Sequence, residues 1–157
     1  MGRKIGSWVV IAMLGLGVRF AWNLISYEMD DTPLTAEEEL AEQAQWIHED
    51  DAWIAEEVAA GNVQSARGWL DQPKRGTFEA DPQQMRAAIE AFHDAGAPAV
   101  WIVDAVAIGG GELADGFVVE LPEAGPERTA LFAEDAKLWD GHGTPDVGQR
   151  YLNVSFD

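Results

Sequence analysis

The chain contains no cysteine. That excludes disulfides, thiolate metal sites, a cysteine nucleophile and a lipid-modified N-terminal cysteine. It leaves the redox compartment open, since a cysteine-free chain folds on either side of a membrane. Bases are also scarce. Ten Lys and Arg stand against 28 Asp and Glu, a formal charge of −18 over 157 residues, and no base occurs between Arg19 and Arg67. Such a chain repels phosphate backbones and anionic headgroups, so nucleic acid is not an expected partner. Cations and basic protein patches are compatible with it, and the charge also keeps a domain soluble. The only serines are Ser7, Ser26, Ser65 and Ser155, and none lies in a G-x-S-x-G elbow. With 28 acids, no single carboxylate pair is informative about acid–base chemistry. The expectation is a protein without catalytic machinery or cofactor.

What is present is a strong order along the first sixty residues. Arg3 and Lys4 precede an apolar stretch, Ser7 to Tyr27, and residues 28–66 then carry twelve acids. Residues 1–27 bear +3, residues 28–66 bear −12 and residues 67–157 bear −9. The apolar fraction of 47% excludes wholesale disorder, and the length suits one modest domain with an appendage. The division expected is an anchor or signal segment at 1–27, an acidic helical segment at 28–72 and a small α+β domain at 73–157.

As a helix, the 21 residues from Ser7 to Tyr27 span roughly 31 Å, enough for a hydrocarbon core of about 30 Å. Arg19 opposes insertion by about 2.5–3.5 kcal/mol. Val9, Val10, Ile11, Leu14, Leu16, Val18, Phe20, Leu24 and Ile25 together return roughly 3–5 kcal/mol. Insertion is marginal, helped by snorkelling of Arg19 and by Trp8, Trp22 and Tyr27 at the interfaces. The expectation is an uncleaved single-pass anchor with a cytoplasmic N-terminus and the acidic remainder outside, in the periplasm if the source is bacterial. A cleaved signal peptide, leaving a secreted or periplasmic soluble protein, is the competing reading, although Arg19 to Ser26 offers no A-x-A site. A helix of a soluble protein is the third.

Thr35-Ala36-Glu37-Glu38 matches a capping box, and nothing breaks the following helix before Gly61. Either one helix of about 25 residues or two, broken near His48 to Asp51, is expected. Trp46-Ile47 recurs seven residues on as Trp53-Ile54. This stripe docks either on the protein's own C-terminal domain or on a partner protein or second copy of the chain.

Beyond it, a helix over 63–71 precedes a strand at 76–80, and Asp81-Pro82 opens a second helix with Met85, Ile89 and Phe92 inward. A strand over 99–108, a Gly109-Gly110-Gly111 turn, a strand over 116–121, a helix opened by Gly125-Pro126 and a strand over 150–156 follow. Without the first helix the order is β-α-β-β-α-β, that of ferredoxin-like, split β-α-β folds. An open sheet face carrying Tyr151, Asn153 and Ser155 then needs a cover, for which the acidic helix is suited. Asp140, His142 and Asp146, in a Gly- and Pro-rich turn, are the best metal-like set, although their spacing matches no established loop. The functional expectation is a membrane-tethered, non-enzymatic interaction module. The alternative is a small-ligand or divalent-cation binding domain with those three residues at its site, extending to a hydrolase.

Overall fold

The computed structural model describes residues 35–78 and 80–156; the basic start and the apolar segment 7–27 lie outside them. The helices are α1 (Ala36–Ala60), α2 (Ala66–Leu70), α3 (Pro82–Asp94) and α4 (Pro126–Leu138). The strands are β1 (Gln64–Ser65), β2 (Arg75–Gly76), β3 (Val100–Ile102), β4 (Val106–Ile108), β5 (Gly111–Leu113), β6 (Gly116–Glu120) and β7 (Tyr151–Ser155). The protein is thus α+β, and Ala36–Asp157 form one compact unit. No helix among the described residues is long and apolar enough to cross a membrane.

The acidic segment forms one unbroken 25-residue helix, starting directly after Thr35. Three glutamates occupy its first turn, where the helix dipole favours negative charge. It ends in a Schellman motif: Gly61 N–H donates to Val58 O (3.1 Å) and Asn62 N–H to Glu57 O (3.0 Å). Gly61 adopts φ +76°, which this motif requires and which only glycine reaches without strain. Helix α3 follows its sequence signals closely. The Asp81 carboxylate accepts from Gln83 N–H (2.8 Å), Pro82 occupies the first turn, and Met85, Ala88, Ile89 and Phe92 are buried. Asp81→Ala is expected to lower stability by about 1 kcal/mol through loss of this cap. Urea unfolding checks this, and an unchanged midpoint would refute it.

The main sheet is antiparallel throughout, in the order β1-β3-β6-β7. This corrects the expected strand order. In a ferredoxin-like sheet the first strand lies between the third and the last, whereas here the last strand pairs directly with β6. The first strand of the sheet is also not the expected one. Gln64 and Ser65, which were expected inside a helix, pair with Ile102 and Trp101, and the helix is reduced to Ala66–Leu70. Of the 76–80 segment only Gly76 joins a ladder, together with Arg75 before it, parallel to β5 in a separate three-stranded sheet, β2-β5-β4. Immediately after it the Thr77 hydroxyl donates to Ala80 O, closing a turn that leads into α3.

The single strand expected over 99–108 is split between the two sheets. Val103 to Ala105 leave the ladder, and Val106 to Ile108 pair with β5. The Gly109-Gly110 turn drives this pairing. Both residues have positive φ, +59° and +81°, as the tightest hairpin connection demands.

Period-2 alternation gives the main sheet two buried faces. Val100, Ile102, Phe117, Val119, Leu152 and Val154 face the main core, with Trp69 of α2, Phe92 of α3 and Leu131 of α4. Val118 and Tyr151 point to the other side, where Ile54 of α1 covers them, with Ala55, Val58 and Val103 around. The acidic helix therefore forms the cover over the second sheet face.

Candidate functional site

Three features bear on function: the Asp140–Asp146 loop, the end of the sheet beside Arg128, and the outward surface of α1. In the loop the polar side chains are structural. Arg128, Asp135 and Gln149 are the buried polar and charged residues among those described, and all three hold the chain between α4 and β7. Asp135 accepts from Trp139 Nε1 (3.1 Å) and from Thr144 N–H (2.5 Å). Gln149 donates to Pro145 O (3.0 Å) and accepts from Val147 N–H (2.9 Å). Arg128 donates through Nε and Nη2 to both oxygens of Asp146 (2.8 and 2.5 Å), and to Pro122 O and Gln149 O.

This arrangement does not bring the metal-like set together. Asp146 is committed to Arg128, whose hydrogen bond is the main cause holding its carboxyl below the ordinary range. Asp140 and His142 are exposed. Among the described residues no group of three His, Asp or Glu side chains converges to hold a metal ion. Asp135, the acid that organises the loop, sits four residues before Trp139 on a helix face shared with Leu131. That i, i+4 spacing was its only sequence signal, and it does not by itself separate a buried acid from a solvated one.

Beside Arg128 lies an open groove of about 560 Å³, lined by Glu120, Pro122, Glu123 and Arg150 among others. Four of the five Arg128 N–H donors are already used within the fold. Arg150 is the more exposed cation and stacks over the Tyr151 ring at 5.3 Å.

His93 is half-buried, and its Nε2 is enclosed without a partner. Desolvation first, then the Arg67 guanidinium, lowers its pKa, against an opposing pull from Glu90 and Asp94. As the pH falls below the ordinary histidine range, the unfolded chain takes up this proton before the folded one. The His93 contribution is therefore fully present above that range and declines down to the lowered pKa. Relative to wild type, His93→Gln is expected to lose less stability between pH 7.5 and pH 5. Urea midpoints at the two pH values check this, and equal losses would refute it.

The four residues of the tryptophan–isoleucine stripe part company. Ile54 is 0% exposed against Val118 and Tyr151, so it serves the protein's own sheet. Trp46 and Ile47 are half-buried, while Trp53 is 37% exposed. Asp51 lies on the inward side and fastens the helix to the start of β7, accepting from Arg150 N–H (2.7 Å) and Tyr151 N–H (2.8 Å). Residues 35–43 are all exposed, Leu40 at 61%. The helix thus buries part of its C-terminal half and presents an acidic surface along the rest. Another exposed apolar patch, Val106 and Ile108, lies on the edge strand β4. No protein-family model matches the sequence, and no curated protein or solved structure matches it either.

Proposed function

We propose that this protein is a membrane-tethered, non-enzymatic interaction module, held by residues 7–27 with its acidic α+β domain outside the cytoplasmic membrane. The observation that carries the interaction part is α1. Asp51 and Ile54 fasten the helix to the domain, while Leu40 and Trp53 stay exposed on it among carboxylates. A helix fastened to its domain with exposed large apolar side chains is suited to docking. The tether rests on the basic start, the 21-residue apolar run and the base-free acidic stretch that follows. Arg3 and Lys4 would remain cytoplasmic by the positive-inside rule.

Carbonate extraction of membranes from cells expressing the full chain tests the tether. Retention in the pellet of protein that still carries Met1 is expected, and complete release of such protein would overturn it. For the interaction part, a photo-crosslinker at position 40 or 53 is expected to give one discrete adduct in those membranes. A crosslinker at exposed Gln84 is not; adducts that do not depend on position would count against α1.

A further inference from the structure

We infer that the outward face of α1 seats a Lys/Arg-rich segment of a partner protein, with cationic groups over the Trp46 and Trp53 indoles and against the carboxylates that flank them. This deepens the interaction reading above and rests on it. On a helix of 3.6 residues per turn, Trp46 and Trp53 lie on one face, about 10 Å apart along the axis. The neighbours of a helical residue are those three and four positions away. For Trp46 these are Glu42, Gln43, Glu49 and Asp50; for Trp53 they are Glu49, Asp50, Glu56 and Glu57. Five of the six distinct neighbours are acids, and the sixth is an amide.

An indole face framed by carboxylates is suited to a cation, which gains from the ring quadrupole and the neighbouring charges together. The helix itself supplies no such cation, since it contains no Lys or Arg. Nor does the rest of the domain: among the described residues, the ion pairs formed by Lys and Arg involve none of Glu42, Glu49, Asp50, Glu56 and Glu57. Glu49 accepts from the Gln45 amide at 2.9 Å, and Asp50 from the Asn153 amide of β7 at 3.5 Å, which leaves Glu42, Glu56 and Glu57 as the acids best placed for an outside cation. The acids at the C-terminal end are also poorly placed for the helix alone, because Glu56 and Glu57 stand at its negative pole. Nearby, desolvation first and then the Glu57 charge raise the Asp104 carboxyl above its ordinary range. A cation from outside would offset the first effect and the Glu57 part of the second.

Charge selects the class of occupant. Anionic lipid and nucleic acid are repelled by the same carboxylates, and a second copy would bring an equally acidic face against this one. A basic protein segment is complementary, with two cations about 10 Å apart to match the indoles.

The test is titration of the detergent-solubilised full chain with a deca-arginine peptide, followed by tryptophan fluorescence and calorimetry, with deca-glutamate as control. Two variants probe the face: Trp46→Leu/Trp53→Leu, which keeps the acids, and Glu42→Gln/Glu49→Gln/Glu56→Gln, which keeps the indoles. A third, Asp94→Asn/Glu123→Gln/Asp140→Asn, removes three exposed acids elsewhere. Each of the first two is expected to raise Kd about tenfold and the third to change it by less than twofold. Circular dichroism confirms that the helix is retained. No binding at low salt, an unchanged Kd in the double variant, or equal weakening by the third variant would each overturn the proposal. If the peptide fails while membranes still retain the chain and the position-53 adduct still forms, the partner chemistry is wrong and the tethered-module reading stands.

Discussion

Arg128→Ala is expected to destabilise the domain by about 3 kcal/mol, read as a lower urea midpoint with an unchanged slope. The residue is only 8% exposed, and its guanidinium binds three separate parts of the chain. It holds both Asp146 oxygens, the Pro122 carbonyl before α4 and the Gln149 carbonyl before β7. Truncation leaves two carbonyls short of a donor near the protein interior and a carboxylate without its counter-ion, each of which carries a desolvation penalty. Asp146→Asn is expected to cost less, about 1 kcal/mol, because the Asp146 side chain is 45% exposed and water replaces part of the interaction. Arg128→Lys should fall between the two, since an ammonium keeps the charge but not the planar fork. A loss below 1 kcal/mol for Arg128→Ala would show that the loop is held by other means.

Ile54→Ala is expected to cost about 3 kcal/mol, with a distinct spatial signature. Ile54 is fully buried and central to the small cluster between α1 and the sheet, which is separate from the main core. Removing three carbons there leaves a cavity between the helix and Val118 and Tyr151, and the other α1 residues of the cluster, Ala55 and Val58, are only partly buried. The effect should concentrate in α1. Amide hydrogen exchange is expected to speed up along residues 47–58 well before it does in α3, whose Met85, Ile89 and Phe92 belong to the other cluster. Ile54→Val should retain most of the stability, at a cost of about 1 kcal/mol. Uniform acceleration through both helices would mean that the two clusters unfold as one.

The two variants also separate the layers of the functional argument. Arg128 supports the connection between α4 and β7, whereas Ile54 supports the helix that carries the proposed docking face. A loss of partner binding in Ile54→Ala but not in Arg128→Ala, at matched stability, is expected if α1 must be held against the sheet.

The sequence by itself determined where α1, α3 and α4 begin, but not the bounds of α2. Thr35 and Gly61 bracket α1, Asp81-Pro82 and Gly96 bracket α3, and Gly125-Pro126 opens α4, because capping and φ-restricted residues act on the backbone within a few positions. It also determined which residues of β7 face inward, since alternation is a local property of the strand. Strand pairing was decided only in the tertiary structure. Nothing within Val100 to Ile108 states that Val100 and Trp101 pair with β6 and the last three residues with β5. The break at Val103 to Ala105 follows from competition between distant partners. Likewise, Gln64 and Ser65 form a strand because Trp101 and Ile102 lie beside them, not through their own propensity.

The same division applies to the sites. The acids around Trp46 and Trp53 are legible from helical spacing, but exposure of Trp53 and burial of Ile54, one residue apart, depend on where the sheet lies. Asp146 illustrates the converse. Its turn-rich surroundings suggest a ligand, and only the fold, by placing Arg128 eighteen positions earlier against it, makes it one half of a structural ion pair. Local chemistry sets local conformation; the partner of a charge is set by packing between segments far apart in the chain.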